Sequence, residues 1–344
     1  MKLFFTICAA MLVSTGFSQA NKKYIKLKGA INSNLFITME LEKDSRAFTG
    51  NYYYDKIGKL LTVFGTQTKD SFLLAEMDNK GDETGIFRGI INVNNDVKGV
   101  WINTKTKKQF SFSLSEVHEN IAQFDYTDYS AEKCDDRNKN LLSTKKDTLN
   151  YWDTLCATTD ISTITVKNLA PNVCKKINNK LLNTMLEMNT ADTVCTTIDQ
   201  MLRATANGEV QYGMGVQCNE TNNLCICVSV YGMSFGAAHP GGYFIDLNFS
   251  PQTGDTIGLQ QLLLPNTMNK LITLTEKYFY QQNDSTGWFF EDDGFKLAKN
   301  FIFSQRGLTF EYNAYEAGPY VAGLPTVFIP KKDLVGIVKP EYIR

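Results

Sequence analysis

The chain has 344 residues, 43% of them hydrophobic and 21% charged. This composition excludes a mostly disordered or collagen-like polymer and suggests about two domains. Lys plus Arg number 35 against 36 Asp plus Glu, a net charge of -1, so no general attraction draws the chain to a phosphate backbone and nucleic acid is not expected as a partner. With only 2 histidines, a His-rich metal centre cannot be built, and neither metal nor cofactor is expected.

Residues 1–20 read as a secretory signal. Met1-Lys2 is the basic start, Leu3 to Phe17 is mainly apolar, and Ser18-Gln19-Ala20 places small residues for cleavage after Ala20. The apolar run, about fifteen residues, is shorter than the roughly twenty needed to span a bilayer. The expected location is therefore secreted or periplasmic, with no transmembrane anchor left after cleavage.

Residues 21–118 alternate in strand-like runs: Tyr24–Leu27, Leu35–Leu41, Phe48–Tyr54, Leu60–Thr66, Phe72–Met77, Gly85–Val93, Val97–Ile102 and Phe110–Leu114. Turn clusters such as Asn32-Ser33-Asn34 and Asn94-Asn95-Asp96 separate them, which predicts an antiparallel β-meander, either a small barrel or a coiled sheet. The Tyr52-Tyr53-Tyr54 run reads as barrel packing and rim tyrosines, since alternation must divide it between the two faces. Residues 119–160 are polar and mixed in charge, and read as a linker or irregular segment.

Residues 161–344 change period. Val173, Ile177, Leu181, Leu182, Met185 and Leu186 recur at helical spacing, and a short helix is expected around Ile198–Ala206. Strands follow at Glu209–Cys218, Leu224–Phe235 and Tyr243–Phe249, then an amphipathic helix over Gly258–Tyr280. Further strands are expected at Phe301–Phe303, Leu308–Tyr312 and Thr326–Ile329. The reading is an α+β domain with two main helices and an antiparallel sheet.

Export makes the cysteines disulfide candidates. A two-residue turn at Asn222-Asn223 would set Cys218 opposite Cys227, with Cys225 left as the odd thiol. Moving the turn by one residue would instead pair Cys218 with Cys225. Sequence proximity suggests Cys134 with Cys156 and Cys174 with Cys195.

No catalytic string survives inspection. Gly232-Met233-Ser234-Phe235-Gly236 matches the serine-hydrolase pattern, but Ala237 to Gly242 cannot start the helix that a nucleophile elbow needs. Glu291-Asp292-Asp293 has the acidity of a deacetylase motif without a nearby pair of histidines. His239, beside Pro240 and two glycines, reads more readily as a turn residue than as a general base.

Two blocks carry a family resemblance. One runs through Gly236-Ala237-Ala238-His239-Pro240 to Asp255-Thr256-Ile257. The other spans Phe310 to Gly323 and ends in Val327-Phe328-Ile329-Pro330. Together, over about Val166 to Val338, they resemble the C-terminal domain of RsiV-type anti-sigma factors and PdaC-type peptidoglycan deacetylases (domain of unknown function 3298). The resemblance implies an extracytoplasmic α+β domain. In the anti-sigma proteins such a domain receives lysozyme, and in the deacetylases it accompanies a separate catalytic domain. This chain has neither a cytoplasmic sigma-binding segment nor a deacetylase domain, so those activities are not expected.

The expectation is a non-enzymatic envelope module that recognises cell-wall glycan or a lysozyme-like protein. The candidate contact residues are His239, Pro240, Tyr312, Tyr315, Glu316, Pro319 and Tyr320, since amphipathic tyrosines beside a carboxylate suit a sugar or a basic partner. The competing expectations are a carboxylate-dependent wall enzyme, using residues such as Glu291, Asp292, Asp293 and Glu316, and a structural envelope component.

Overall fold

The computed structural model describes residues 22–78, 81–119, 121–135, 155–188, 195–204, 208–283, 287–290 and 294–342. The expected signal sequence and Glu291, Asp292 and Asp293 lie outside these residues.

The N-terminal meander closes on itself. Its strands are β1 (Lys22–Ile31), β2 (Leu35–Asp44), β3 (Ala47–Tyr54), β4 (Leu61–Thr68), β5 (Ser71–Met77), β6 (Glu83–Ile91), β7 (Val97–Asn103) and β8 (Gln109–Glu116). Each pairs antiparallel with its successor, and β1 also pairs with β8, which removes both sheet edges. Alternation sends Ile25, Leu27, Met39, Phe87 and Leu114 inward to fill the barrel. Tyr52 joins them at 0% exposure, its hydroxyl donating to Glu76 Oε2 at 2.5 Å while Trp101 Nε1–H donates to the same oxygen at 2.6 Å. Gly89 lies opposite Gly99, and a Cβ on Gly99 would stand 2.6 Å from the Gly89 Cα, so strands β6 and β7 cross too closely there for a side chain.

The described residues of the segment expected as a linker are mostly strand. β9 (Gln123–Asp135) and β10 (Leu155–Lys167) form an antiparallel pair along their whole length. Its polarity belongs to a solvent-facing side, where Ser130 donates to Asp160 at 2.6 Å and Ser162 donates to Asp128 at 2.6 Å. The register sets Cys134 opposite Cys156, and Cys156 is disulfide-bonded.

Next come α1 (Pro171–Glu187), α2 (Ile198–Arg203), β11 (Gly208–Asn219), β12 (Leu224–Ser234) and β13 (Gly241–Phe249). Pro171 sits in the first turn of α1, where its missing N–H costs nothing, and Val173, Ile177, Leu181 and Met185 bury one stripe against the sheet. The sheet order is β13-β12-β11-β10-β9. It is mixed rather than wholly antiparallel, because α1 and α2 carry the chain across so that β10 and β11 run parallel.

The expected helix over Gly258–Tyr280 is two: α3 (Leu259–Leu262) and α4 (Met268–Gln282). Pro265 and Asn266, the latter at φ 61°, break it. A second sheet, β14 (Asn300–Ser304), β15 (Gly307–Glu311) and β16 (Thr326–Pro330), packs on α4 around Phe279. The α+β reading therefore holds, with two sheets in place of one.

The cysteine pairing expected in the β11–β12 hairpin is overturned. Glu220 N–H donates to Asn223 O at 2.8 Å, so the turn is centred on Thr221-Asn222, and Cys218 lies opposite Cys225. A bulge between Val216 and Cys218 then moves Cys227 opposite Gly215. Asn223 lies outside the turn pair and has no positive φ. It is fully buried, and its amide donates to Asn248 Oδ1 at 2.9 Å and to Phe303 O. Cys218, Cys225 and Cys227 are not disulfide-bonded, and the expected bridge between Cys174 and Cys195 is also absent. Proximity in sequence did not translate into a bond between a helix and the loop after it.

Buried charge anchors the barrel to both sheets. Lys26 of β1, 3% exposed, pairs with Glu40 at 2.7 Å and donates to the Asn219 carbonyl at 2.5 Å. Arg306, from the β14–β15 turn, donates to Gly58 O at 3.0 Å and lies 5.0 Å over the Tyr53 ring. Tyr52 and Tyr53 thus divide between the barrel interior and its covered outer face.

Candidate functional site

The mixed sheet and the three-stranded sheet meet edge to edge, β13 against β14, through side-chain amides in place of a backbone ladder. Asn300 Nδ2–H donates to Phe244 O at 2.9 Å, and its Oδ1 accepts from Asp246 N–H at 3.2 Å. Asn248 Nδ2–H donates to Phe301 O at 2.7 Å, and Asn313 bonds both backbone groups of Phe244 at 2.9 and 3.1 Å. Buried edge groups are satisfied in this way without merging the sheets.

Two loops meet above this seam. The first leaves β12 at Ser234, turns where Ala237 N–H donates to Ser234 O at 3.0 Å, and enters strand β13 rather than a helix. Ser234 is therefore not on a nucleophile elbow. The loop presents His239, whose Nδ1 lies 2.8 Å from Pro240 O. The Nδ1–H tautomer satisfies that carbonyl and leaves Nε2 to accept from Tyr315 Oη–H at 3.3 Å.

The second loop joins β15 to β16. Its base is fixed by Glu316, whose carboxylate oxygens accept from Lys299 N–H at 3.0 Å and Asn313 N–H at 2.9 Å. Pro319 leads into a short 3-10 turn, Tyr320–Ala322. The rings of His239 and Tyr320 stack at 4.2 Å and 21°, with Tyr315 5.9 Å from Tyr320. Tyr315 is 55% exposed and Val321 is 92% exposed, so the cluster forms an open aromatic and apolar platform. Tyr315 holds φ 66°, a left-handed conformation costly for an aromatic residue and one that needs a reason to persist. Tyr231 extends the platform: burial first, then the nearby Tyr320, raises its hydroxyl above the ordinary tyrosine range.

Of the expected contact residues, His239, Tyr315 and Tyr320 come together, with Pro240 and Pro319 shaping their loops. Tyr312 and Glu316 are corrections. Tyr312 is 1% exposed, packs 5.6 Å from Phe279 and donates to Lys296 O at 2.8 Å, so it is core. Glu316 is committed to capping its own loop. Tyr231 was not anticipated, because its strand reads as ordinary alternation.

The seam also holds a pair of carboxyl groups missed in the sequence, Asp246 and Glu311. Burial raises both above the ordinary carboxylate range, and the Glu311 charge adds to the shift at Asp246. The available signal was Asp246 alternating with Ile245 and Leu247 inside an otherwise buried strand. A separate cavity of about 50 Å³ lies between barrel and sheet, lined by Glu40, Glu42, Tyr53, Cys218, Glu220 and Arg306 among others. It has room for a few waters. Among the described residues no cluster of His, Cys, Asp and Glu could hold a metal ion.

Residues 260–332 match the family model described as "Protein of unknown function (DUF3298)". The match spans α4, the three-stranded sheet and the Tyr315–Tyr320 loop. Two solved structures are similar to this chain. One is a DUF3298 family protein from Pseudomonas aeruginosa PAO1, at 17% identity and a TM-score of 0.45, covering 63% of this chain and 95% of that one. The other is a DUF3298 family member from Bacteroides fragilis NCTC 9343, at 14% identity and a TM-score of 0.49, covering 63% and 94%. No curated protein matches the chain.

Proposed function

We propose that the chain is an exported cell-envelope binding module that recognises peptidoglycan glycan through the His239–Tyr315–Tyr320 platform. The observation that carries this reading is the cluster of His239, Tyr315 and half-buried Tyr320 rings assembled from loops of two sheets, with Tyr315 held in a left-handed conformation. Sugar rings present flat C–H faces that pack on aromatic faces, while tyrosine hydroxyls and the imidazole can bond the sugar hydroxyls. The resemblance to wall-associated extracytoplasmic domains and the signal-like N-terminus are consistent with that ligand. Glu316 gives no support to a carboxylate-dependent enzyme, because its oxygens are occupied within the loop.

A second reading, a basic muramidase-like protein as partner, is favoured by the solvent face of the mixed sheet. Glu132, Thr158 and Glu209 form one cross-strand row there, and exposed Asp160 stands in the next row toward the barrel. Calorimetry with muramyl glycan fragments and, separately, with lysozyme distinguishes the two. Glycan binding that is lost in Tyr320→Ala supports the platform. Binding of neither ligand at millimolar fragment and high micromolar protein overturns both readings.

A further inference from the structure

Strand β13 sorts its side chains cleanly. Ile245, Leu247 and Phe249 face the core over α1, while the alternate residues Phe244, Asp246 and Asn248 face the three-stranded sheet. Asp246 is 8% exposed, and neither of its carboxylate oxygens meets a nitrogen or oxygen donor. Its cross-strand neighbour Cys227 supplies only a weak thiol donor.

Across the seam, Asn300 accepts from the Asp246 N–H and stands directly opposite Glu311 in the β14–β15 register. Asp246 and Glu311 therefore flank one asparagine. The ionisable groups around them are Cys225 and Cys227 from β12 and Arg306 from the β14–β15 turn, whose charge acts on Glu311. Among the described residues no lysine or arginine pairs with Asp246. With both Asp246 oxygens buried and no cation paired to them, ionisation there is costly, and the Glu311 charge beyond Asn300 adds to that cost, so the seam is most stable while Asp246 keeps its proton.

The same seam positions the platform, since His239 rides on the β12–β13 side and Tyr315 and Tyr320 on the β15–β16 side. We propose that Asp246 and Glu311 form a proton-held latch that keeps the two sheets in register and opens the aromatic platform when the proton is lost to solvent. The coupling to ligand binding rests on the glycan reading above; the latch itself does not. Both groups have folded-state pKa values above their unfolded ones. The latch therefore contributes fully below the ordinary carboxylate range and weakens as pH rises through the raised values.

The test uses the full chain and hydrogen exchange measured by mass spectrometry from about pH 5 to about pH 10, corrected for intrinsic exchange. Protection of residues 241–249 and 300–304 should fall about tenfold more than protection of the barrel strands over this range. Asp246→Asn and, separately, Glu311→Gln should abolish that extra loss. If either variant is poorly folded, the other supplies the comparison. Seam protection independent of pH, or an identical pH slope in the wild type and both variants, overturns the latch. Muramyl fragment binding is read in parallel. Fragments that bind at no pH, with the seam still opening, sink the glycan reading and leave the latch. Fragments that bind equally at both ends of the range, with the seam open at one, overturn the control of the platform.

Discussion

The His239 ring lies 4.2 Å from the Tyr320 ring, yet the two residues sit on loops of different sheets, whose facing edges are bridged by asparagine side chains. The contact is therefore a readout of how the sheets sit against one another as much as a local stack.

Tyr320→Ala should lower affinity for muramyl fragments by about tenfold or more, since a stacked aromatic contact is worth roughly 0.5–1.5 kcal/mol beyond its buried area. The thermal midpoint should move little because the ring is only half-buried. Calorimetry alongside thermal denaturation separates the two effects. Unchanged affinity would remove Tyr320 from the site.

Tyr315→Gly should do two opposite things. Relief of the left-handed backbone, φ 66°, should stabilise the fold by about 1 kcal/mol, while affinity falls with loss of the ring. Chemical denaturation and ligand titration of the same variant check this. A destabilised Tyr315→Gly would show that the ring itself supports the loop.

Tyr312→Ala should cost about 3–5 kcal/mol, because it opens a cavity beside Phe279. Tyr312→Phe should cost about 1 kcal/mol through the lost bond to Lys296 O. Fragment affinity measured on the folded fraction should not change in Tyr312→Phe. A large affinity loss there would return Tyr312 to the site.

Any disulfide formed within the β11–β12 hairpin should join Cys218 to Cys225. Their directly opposed positions, at a hydrogen-bonded pair, set the Cα atoms about 5.5 Å apart, within bridging range. Non-reducing peptide mapping after mild oxidation decides the point. A Cys218–Cys227 link would mean that the register is shifted.

Lys26→Met should destabilise by about 3–5 kcal/mol, since it leaves Glu40 without its partner. Adding Glu40→Leu should recover much of that loss. Burial alone would lower the Lys26 pKa, but the Glu40 charge and hydrogen bond, together with the nearby Cys218 and Tyr53, more than offset it and hold the value above the ordinary lysine range. The pair's contribution is therefore complete below the unfolded lysine pKa and fades only in strong alkali. Urea denaturation of the single and double variants near neutral pH supplies the test. A double variant as unstable as the single one would contradict it.

The barrel strands were legible because alternation and turn residues are local signals. Closure was not, since pairing β1 with β8 depends on coiling accumulated over every strand between them. β9 and β10 read as a linker because their ladder binds two polar strands whose partners are distant. The cysteine register failed for a related reason: Asn223 has the composition of a turn residue, but Asn248 and Phe303 claim its amide. His239, Tyr315 and Tyr320 could be picked out by residue type. Tyr312 could not be told from them, because burial beside Phe279 is a tertiary fact. Asp246 and Glu311 lie in separate sheets, and nothing local links them.

The amide-bridged seam also limits what can be cut from the chain. The family match over residues 260–332 begins beyond β13, so its boundary runs along the seam and leaves His239 on the far side. A fragment of that length would keep Tyr315 and Tyr320 while exposing Asn300 and Ile302 to water. The stretch most recognisable by its relatives is thus a half-structure whose missing wall is supplied by the strands before it.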